Sequence, residues 1–185
     1  MALQAIRPHH DDRSDDFARL VERDLDRVWR FLRSLLRDPD LARDLCHDTF
    51  LRLHESLRRD EIRQLDDGLP RAAYVFAAAR NAAASHGRRA RRQATFGLDA
   101  SDDIADAGRT DLALVHGELR KDLDTALARL DEDHRAVFLL SEIEGLRYEE
   151  IAEILEIPAG TVASRKHHAV QRLRRDMERM GHAVS

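Results

Sequence analysis

Residues 148–175 read YEEIAEILEIPAGTVASRKHHAVQRLRR, and this stretch decides the fold. Ile151, Ala152, Ile154 and Leu155 give a short helix with one apolar face, since apolar residues three and four apart share a helix side. Ala152 is small where a second helix has to approach closely. Glu156-Ile157-Pro158-Ala159-Gly160 reads as a turn, and Thr161 is placed to cap the helix that follows. In that helix Val162, Ala169, Leu173, Met177 and Met180 recur on one stripe. Ser164, Arg165, His167, His168, Gln171, Arg172, Arg174 and Arg175 surround it. The pattern predicts a helix-turn-helix whose second helix faces outward with polar and basic side chains.

No acid occurs from Thr161 to Arg175, although Asp plus Glu (35) outnumber Lys plus Arg (31) in the chain. A helix in a DNA major groove runs between two walls of phosphate, so an acid-free helix suits that place. A solvated basic helix, or one packed on an acidic protein, has the same composition. The formal net charge of −4 is unlike that of a stand-alone nucleic-acid binder, which is usually basic because phosphate neutralisation supplies most non-specific affinity.

Upstream, the helical period begins near Asp16: Phe17, Leu20, Val21, Leu25, Val28, Trp29, Leu32 and Leu35 form one stripe. Residues 1–14 read as a polar tail. Asp38 is a good N-cap and Pro39 suits the first helical position, so a second helix is expected from Pro39 to about Arg58. Its apolar stripe is Leu41, Leu45, Cys46, Thr49, Phe50, Leu53 and Leu57, with Asp44, Asp48, Arg52 and Glu55 opposite. A polar loop, Arg59 to Leu69, follows. Pro70 then opens a third helix, which runs into the basic cluster Arg88 to Arg92. Residues 97–111, GLDASDDIADAGRTD, hold five aspartates and two glycines and read as a flexible acidic linker. Helical periodicity resumes at Leu112.

The expected fold is therefore all-α: two small helical domains, 15–95 and 113–181, joined by a flexible acidic linker at 96–112, the C-terminal one a helix-turn-helix. Aromatics at 5% and charged residues at 36% fit helical surface better than a β-sandwich. The single cysteine, Cys46, excludes an intramolecular disulfide. No apolar run approaches the roughly 20 residues needed to span a bilayer, and the N-terminus lacks the apolar centre of a signal peptide. A soluble, cytoplasmic chain without membrane insertion is expected.

Three segments together resemble a known family. Residues 130–175, LDEDHRAVFLLSEIEGLRYEEIAEILEIPAGTVASRKHHAVQRLRR, look like region 4 of bacterial sigma factors. Residues 44–55, DLCHDTFLRLHE, resemble the polymerase-binding helix of sigma domain 2. Residues 70–92, PRAAYVFAAARNAAASHGRRARR, resemble the adjoining promoter-melting helix. A domain 3 is missing between them, a layout similar to the extracytoplasmic-function (ECF) group. The resemblance implies a factor that gives core RNA polymerase its promoter specificity. Asp44, Asp48 and Arg52 would bind the clamp helices of the beta-prime subunit. Arg80, Asn81, Arg88 and Arg89 would capture and open the minus-ten element. Thr161, Ser164, Arg165, His168 and Arg172 would read the minus-thirty-five element, with the beta flap as a further polymerase contact. An anti-sigma factor is an expected partner. Several residues depart from the family pattern: Lys166 stands where an apolar residue is usual, Ala163 and His168 where basic ones are common, and Tyr74 where Trp is frequent. Gly87 interrupts the third helix.

No metal, cofactor or catalytic residue is expected. Cys46 lies on an apolar stripe, and neighbouring His167 and His168 diverge by about 100° on a helix, which makes them poor co-ligands. No nucleophile-elbow or phosphate-loop motif occurs. Two rival readings remain: a stand-alone helix-turn-helix regulator binding palindromic sites as a dimer, and an interaction protein that binds polymerase or an anti-sigma factor without reading DNA.

Overall fold

The computed structural model describes residues 11–36, 38–62, 65–66, 69–94 and 114–182. The expected linker at 96–112 lies outside the described residues. Helix α1 spans Asp11–Leu36. It starts ahead of Asp16, so the end of the expected tail is helical. The buried stripe also differs from expectation. Leu25 is 39% exposed, while Asp24 is fully buried between Leu20 and Val28. The true period runs through position 24, and the carboxylate is tolerated there because two guanidinium groups meet it. Arg23 Nη2 lies 2.6 Å and Arg27 Nη1 3.0 Å from its oxygens.

Helix α2 (Pro39–Arg58) starts as the sequence indicates. The Asp38 carboxylate accepts from the backbone N–H groups of Asp40 and Leu41 at 3.0 Å, a cap of about 1 kcal/mol. Leu45, Cys46, Thr49, Phe50 and Leu53 are buried on α1 and α3. The Thr49 hydroxyl is satisfied within the helix by the Leu45 carbonyl at 2.6 Å. Burial, with the nearby charge of Asp26, pushes the Cys46 thiol up to about 11, so it packs as an inert side chain.

The expected polar loop contains a small antiparallel ribbon, β1 (Leu65–Asp66) with β2 (Leu69–Pro70), Leu65 opposite Pro70. Pro70 therefore ends the ribbon and does not open the third helix. Helix α3 runs Ala72–Ala94, and the Arg71 carbonyl accepts from Tyr74 and Val75.

In the second half, α4 (Leu114–Arg129) leads to α5 (Glu132–Phe138), capped by Asp131, whose carboxylate accepts from the His134 N–H at 3.0 Å. The chain continues as one π-helical turn, Leu139–Ile143, and reverses at Gly145, whose φ of +67° favours glycine. Helix α6 is Tyr148–Leu155 and α7 is Ala159–Arg179. Glu156 takes the left-handed conformation (φ 55°) at the end of α6. Pro158, at φ −61° and ψ 144°, occupies the N-cap of α7. Thr161 is thus not the cap: it lies inside the first turn, and its N–H donates to the Pro158 carbonyl at 2.8 Å. No side chain caps this start; the Thr161 N–H is taken by the Pro158 carbonyl instead.

One buried apolar cluster runs from α1, α2 and α3 into α5, α6 and the start of α7, joining Leu20, Phe31, Val75 and Phe76 to Val137, Leu140, Ile151 and Val162. Phe31 and Phe76 meet edge to face with centroids 5.5 Å apart. A second cluster, Ala126, Leu127, Leu130, Ala169, Leu173 and Met177, holds α4 on α7.

Candidate nucleic-acid and polymerase interface

Helix α7 is anchored by Val162, Ala169, Leu173 and Met177, which are buried. That anchoring sets which residues face out. Ser164, His167, His168, Gln171, Arg172, Arg174 and Arg175 are exposed, while Thr161, Arg165 and Lys166 are half-buried. Ser164 Oγ donates to the Thr161 carbonyl at 3.1 Å, within the helix. His168 stands beside His167 and His134, with centroids 5.8 and 6.2 Å away.

Arg165 turns toward α5, where its Nη2 lies 2.8 Å from Asp133 Oδ2. Arg172 also leans on α5: its Nη1 is 3.9 Å from Asp131 Oδ2, and its Nη2 donates to the Arg129 carbonyl at 3.4 Å. Asp131 itself is pulled two ways. Burial raises its pKa, but hydrogen bonds from His134 outweigh this and hold it below its ordinary value. Lys166 resolves the departure seen in the sequence: its stem lies beside the Val162 stripe while its ammonium reaches Glu142 Oε1 at 2.5 Å, over the Tyr148 ring. The hydrogen bond to Glu142, against desolvation, raises its pKa.

On α3, Asn81, Arg88 and Arg89 are exposed, and Arg88 Nη2 donates to Ser85 Oγ at 2.9 Å. Arg80 points elsewhere. Its side chain is 20% exposed, its Nη2 lies 3.6 Å from Glu132 of α5, and its Nε is covered without a hydrogen-bond partner. The four residues expected at the minus-ten element thus fall into an outward set of three and one residue facing the second half of the chain.

On α2, Asp44, Asp48 and Arg52 are all exposed on the side away from the core, as the spacing requires. Among the described residues none of them has an ion-pair partner. The sequence reading missed Leu51, which is 49% exposed on the same side. Its position seven after Asp44 and three after Asp48 was the available signal. The reading also missed the pairing of Gln171 with His167 (2.9 Å), one turn apart on the outer face of α7.

Among the described residues, three ion pairs join the two halves of the chain. Arg27 Nε meets Glu144 Oε2 at 2.8 Å, Arg71 Nη2 meets Glu150 Oε1 at 3.3 Å, and Arg80 meets Glu132. Burial raises the pKa of Glu150, but hydrogen bonds from Arg147 and the charges of Arg147 and Arg71 outweigh it and hold the carboxyl below its usual range. No group of three His, Cys, Asp or Glu residues suited to a metal occurs among the described residues. No described helix is long and apolar enough to cross a membrane.

The fold and the outward faces of α2, α3 and α7 define a class, helical transcription factors with a helix-turn-helix, and the comparisons narrow it. Residues 20–93 match the Sigma-70 region 2 model, and residues 120–173 match Sigma-70, region 4. The chain is 32% identical over 161 residues to the ECF RNA polymerase sigma factor SigL of Mycobacterium tuberculosis, covering 83% of this chain and 84% of SigL. It is 31% identical over 164 residues to the RNA polymerase sigma factor CarQ of Myxococcus xanthus, covering 89% and 90%. Among solved structures it is similar to the sigma factor RpoE of Bartonella quintana, determined in complex with the anti-sigma factor NepR, with TM-score 0.69, 27% identity, and coverage of 89% of this chain and 98% of RpoE. The chain belongs to the ECF sigma factors, which direct RNA polymerase in promoter-specific transcription initiation. The family is not a class of enzymes.

Proposed function

We propose that the functions of a sigma factor are divided along this chain as 15–95 for polymerase binding and minus-ten recognition and melting, 96–112 as a linker, and 113–181 for minus-thirty-five recognition. Asp44, Asp48 and Arg52 bind the beta-prime clamp helices, with Leu51 as the apolar contact among them. Asn81, Arg88 and Arg89, with Arg80 once it is released, handle the minus-ten strand through amide and guanidinium donors. Thr161, Ser164, Arg165, His168 and Arg172 form the minus-thirty-five surface, and the second domain also meets the beta flap. The protein acts in the cytoplasm and performs no catalysis of its own. An anti-sigma factor is its regulatory partner, a reading supported by the relative solved with NepR.

The observation that carries the polymerase assignment is the face of α2. A stripe of two acids, an arginine and a leucine stands exposed on a helix whose opposite side is fully committed to the core. Interfaces concentrate their energy in a few such residues around an apolar anchor. Asp48→Arg is expected to weaken binding to core RNA polymerase about tenfold or more, ~1.4 kcal/mol per decade, with helicity unchanged by circular dichroism. Unchanged affinity for core in a titration of labelled sigma factor would remove α2 from the interface.

A further inference from the structure

The acidic triplet Asp131-Glu132-Asp133, where α5 begins, engages three arginines that the proposed function assigns to DNA. Asp131 meets Arg172, Glu132 meets Arg80 and Asp133 meets Arg165, at 3.9, 3.6 and 2.8 Å. Two of these arginines lie on the recognition helix α7 and one on α3, more than eighty positions away in sequence. A single turn of helix therefore faces both proposed DNA-binding surfaces. A carboxylate attracts a guanidinium as a phosphate does, and these three contacts are ion pairs of that kind.

We propose that this turn is an internal DNA mimic: in the free chain Asp131, Glu132 and Asp133 occupy the arginines that promoter DNA takes in the complex, and so hold the factor in a self-blocked, closed form. The inference rests on the assignment of Arg80, Arg165 and Arg172 to DNA. Arg80 carries it furthest. Its Nε is covered without a hydrogen-bond partner, and its side chain is mostly buried and paired with Glu132 of the second half, so no single strand reaches it in the closed form. Burying an unsatisfied guanidinium nitrogen is costly, which keeps the closed form from being deep. The cross-links Arg27–Glu144 and Arg71–Glu150 flank the same junction and close with it. Asp133 and Asp131 act differently, because they lie in the same half as α7. They compete with promoter DNA for Arg165 and Arg172 without any separation of the halves.

The test uses the full chain carrying Asp131→Asn, Glu132→Gln and Asp133→Asn. Asn at 131 keeps the helix cap. A control, Asp124→Asn with Glu149→Gln and Glu153→Gln, removes the same charge at exposed positions that make none of these contacts. Binding to a single-stranded minus-ten oligonucleotide is read by fluorescence anisotropy, and overall size by small-angle scattering. The triplet variant is expected to bind roughly tenfold tighter than the control, the gain when a competent state rises from about a tenth of the population to most of it, and to have a larger radius of gyration. An unchanged radius, or a gain in affinity that the control shares, overturns the proposal. The exchanged pair Arg80→Glu with Glu132→Arg is expected to return to the compact radius, and a radius that stays large overturns the Arg80–Glu132 contact as the hold. Scattering needs no polymerase and no promoter, so it decides the closure independently. Transcription by the unaltered chain with core polymerase decides the functional reading.

Discussion

Replacing Phe76 with alanine is expected to destabilise the protein by about 3–5 kcal/mol, the range for deleting a fully buried aromatic ring. Phe76 is 0% exposed, meets Phe31 edge to face, and carries the Arg27 guanidinium 5.4 Å from its centroid. The ring thus supports the apolar cluster and the arginine that holds buried Asp24 and reaches Glu144 across the two halves. Against a typical total of about 5–15 kcal/mol, such a loss is a large fraction of the stability. Urea denaturation should show a lower midpoint with a similar slope. Leu51→Ala, on the exposed side of α2, should change stability by no more than about 0.5 kcal/mol. A loss below about 1 kcal/mol for Phe76→Ala would mean that the core is not assembled around the Phe31–Phe76 pair.

Arg165→Ala is expected to cost about 1–3 kcal/mol in promoter binding and to relax preference at one minus-thirty-five position. Arg165 lies in the second turn of α7, beside Ser164 and His168, where residues of a recognition helix reach base edges. Asp133 orients its guanidinium in the free chain. Arg172 lies two turns further on, against Asp131 and the Arg129 carbonyl, where the helix leaves the groove floor. Arg172→Ala should weaken all promoters alike and lower the salt slope by about one, the signature of a phosphate contact. Selection from a randomised minus-thirty-five library with holoenzyme, at two salt concentrations, separates the two. If Arg165→Ala leaves the selected sequence intact and lowers binding only, base reading moves to the outer pair His167 and Gln171.

Much of this was legible in the sequence where the signal is local. The α2 stripe and its Asp38 cap follow from period and chemistry within a few residues, and so does the acid-free recognition helix. The cap of α7 was misplaced by three residues because Pro158 does not announce itself as an N-cap, whereas a threonine before an apolar stripe does. Asp24 was invisible as a core position. A carboxylate in an apolar stripe makes sense only once Arg23 and Arg27 are seen to close on it. The ribbon at Leu65–Pro70 had its signal in Asp67-Gly68, a dipeptide that favours tight hairpin turns. The contacts of Arg80 with Glu132 and Arg27 with Glu144 join positions 52 and 117 apart, and no local pattern in one sequence encodes such pairs. The outward faces of α2 and α7 were readable because the buried faces were, while the inward turn of Arg80 depended on that distant partner.

The central claim is that this chain confers promoter recognition on core RNA polymerase, and the most direct measurement is transcription in vitro from a genomic promoter library. Core polymerase with this chain is expected to start RNA at a discrete set of sites sharing a minus-thirty-five and a minus-ten element, while core alone starts at none of them and the chain alone retains little DNA. Specific operator binding by the chain without polymerase, as a dimer on a palindrome and with no new starts when core is added, would contradict the account.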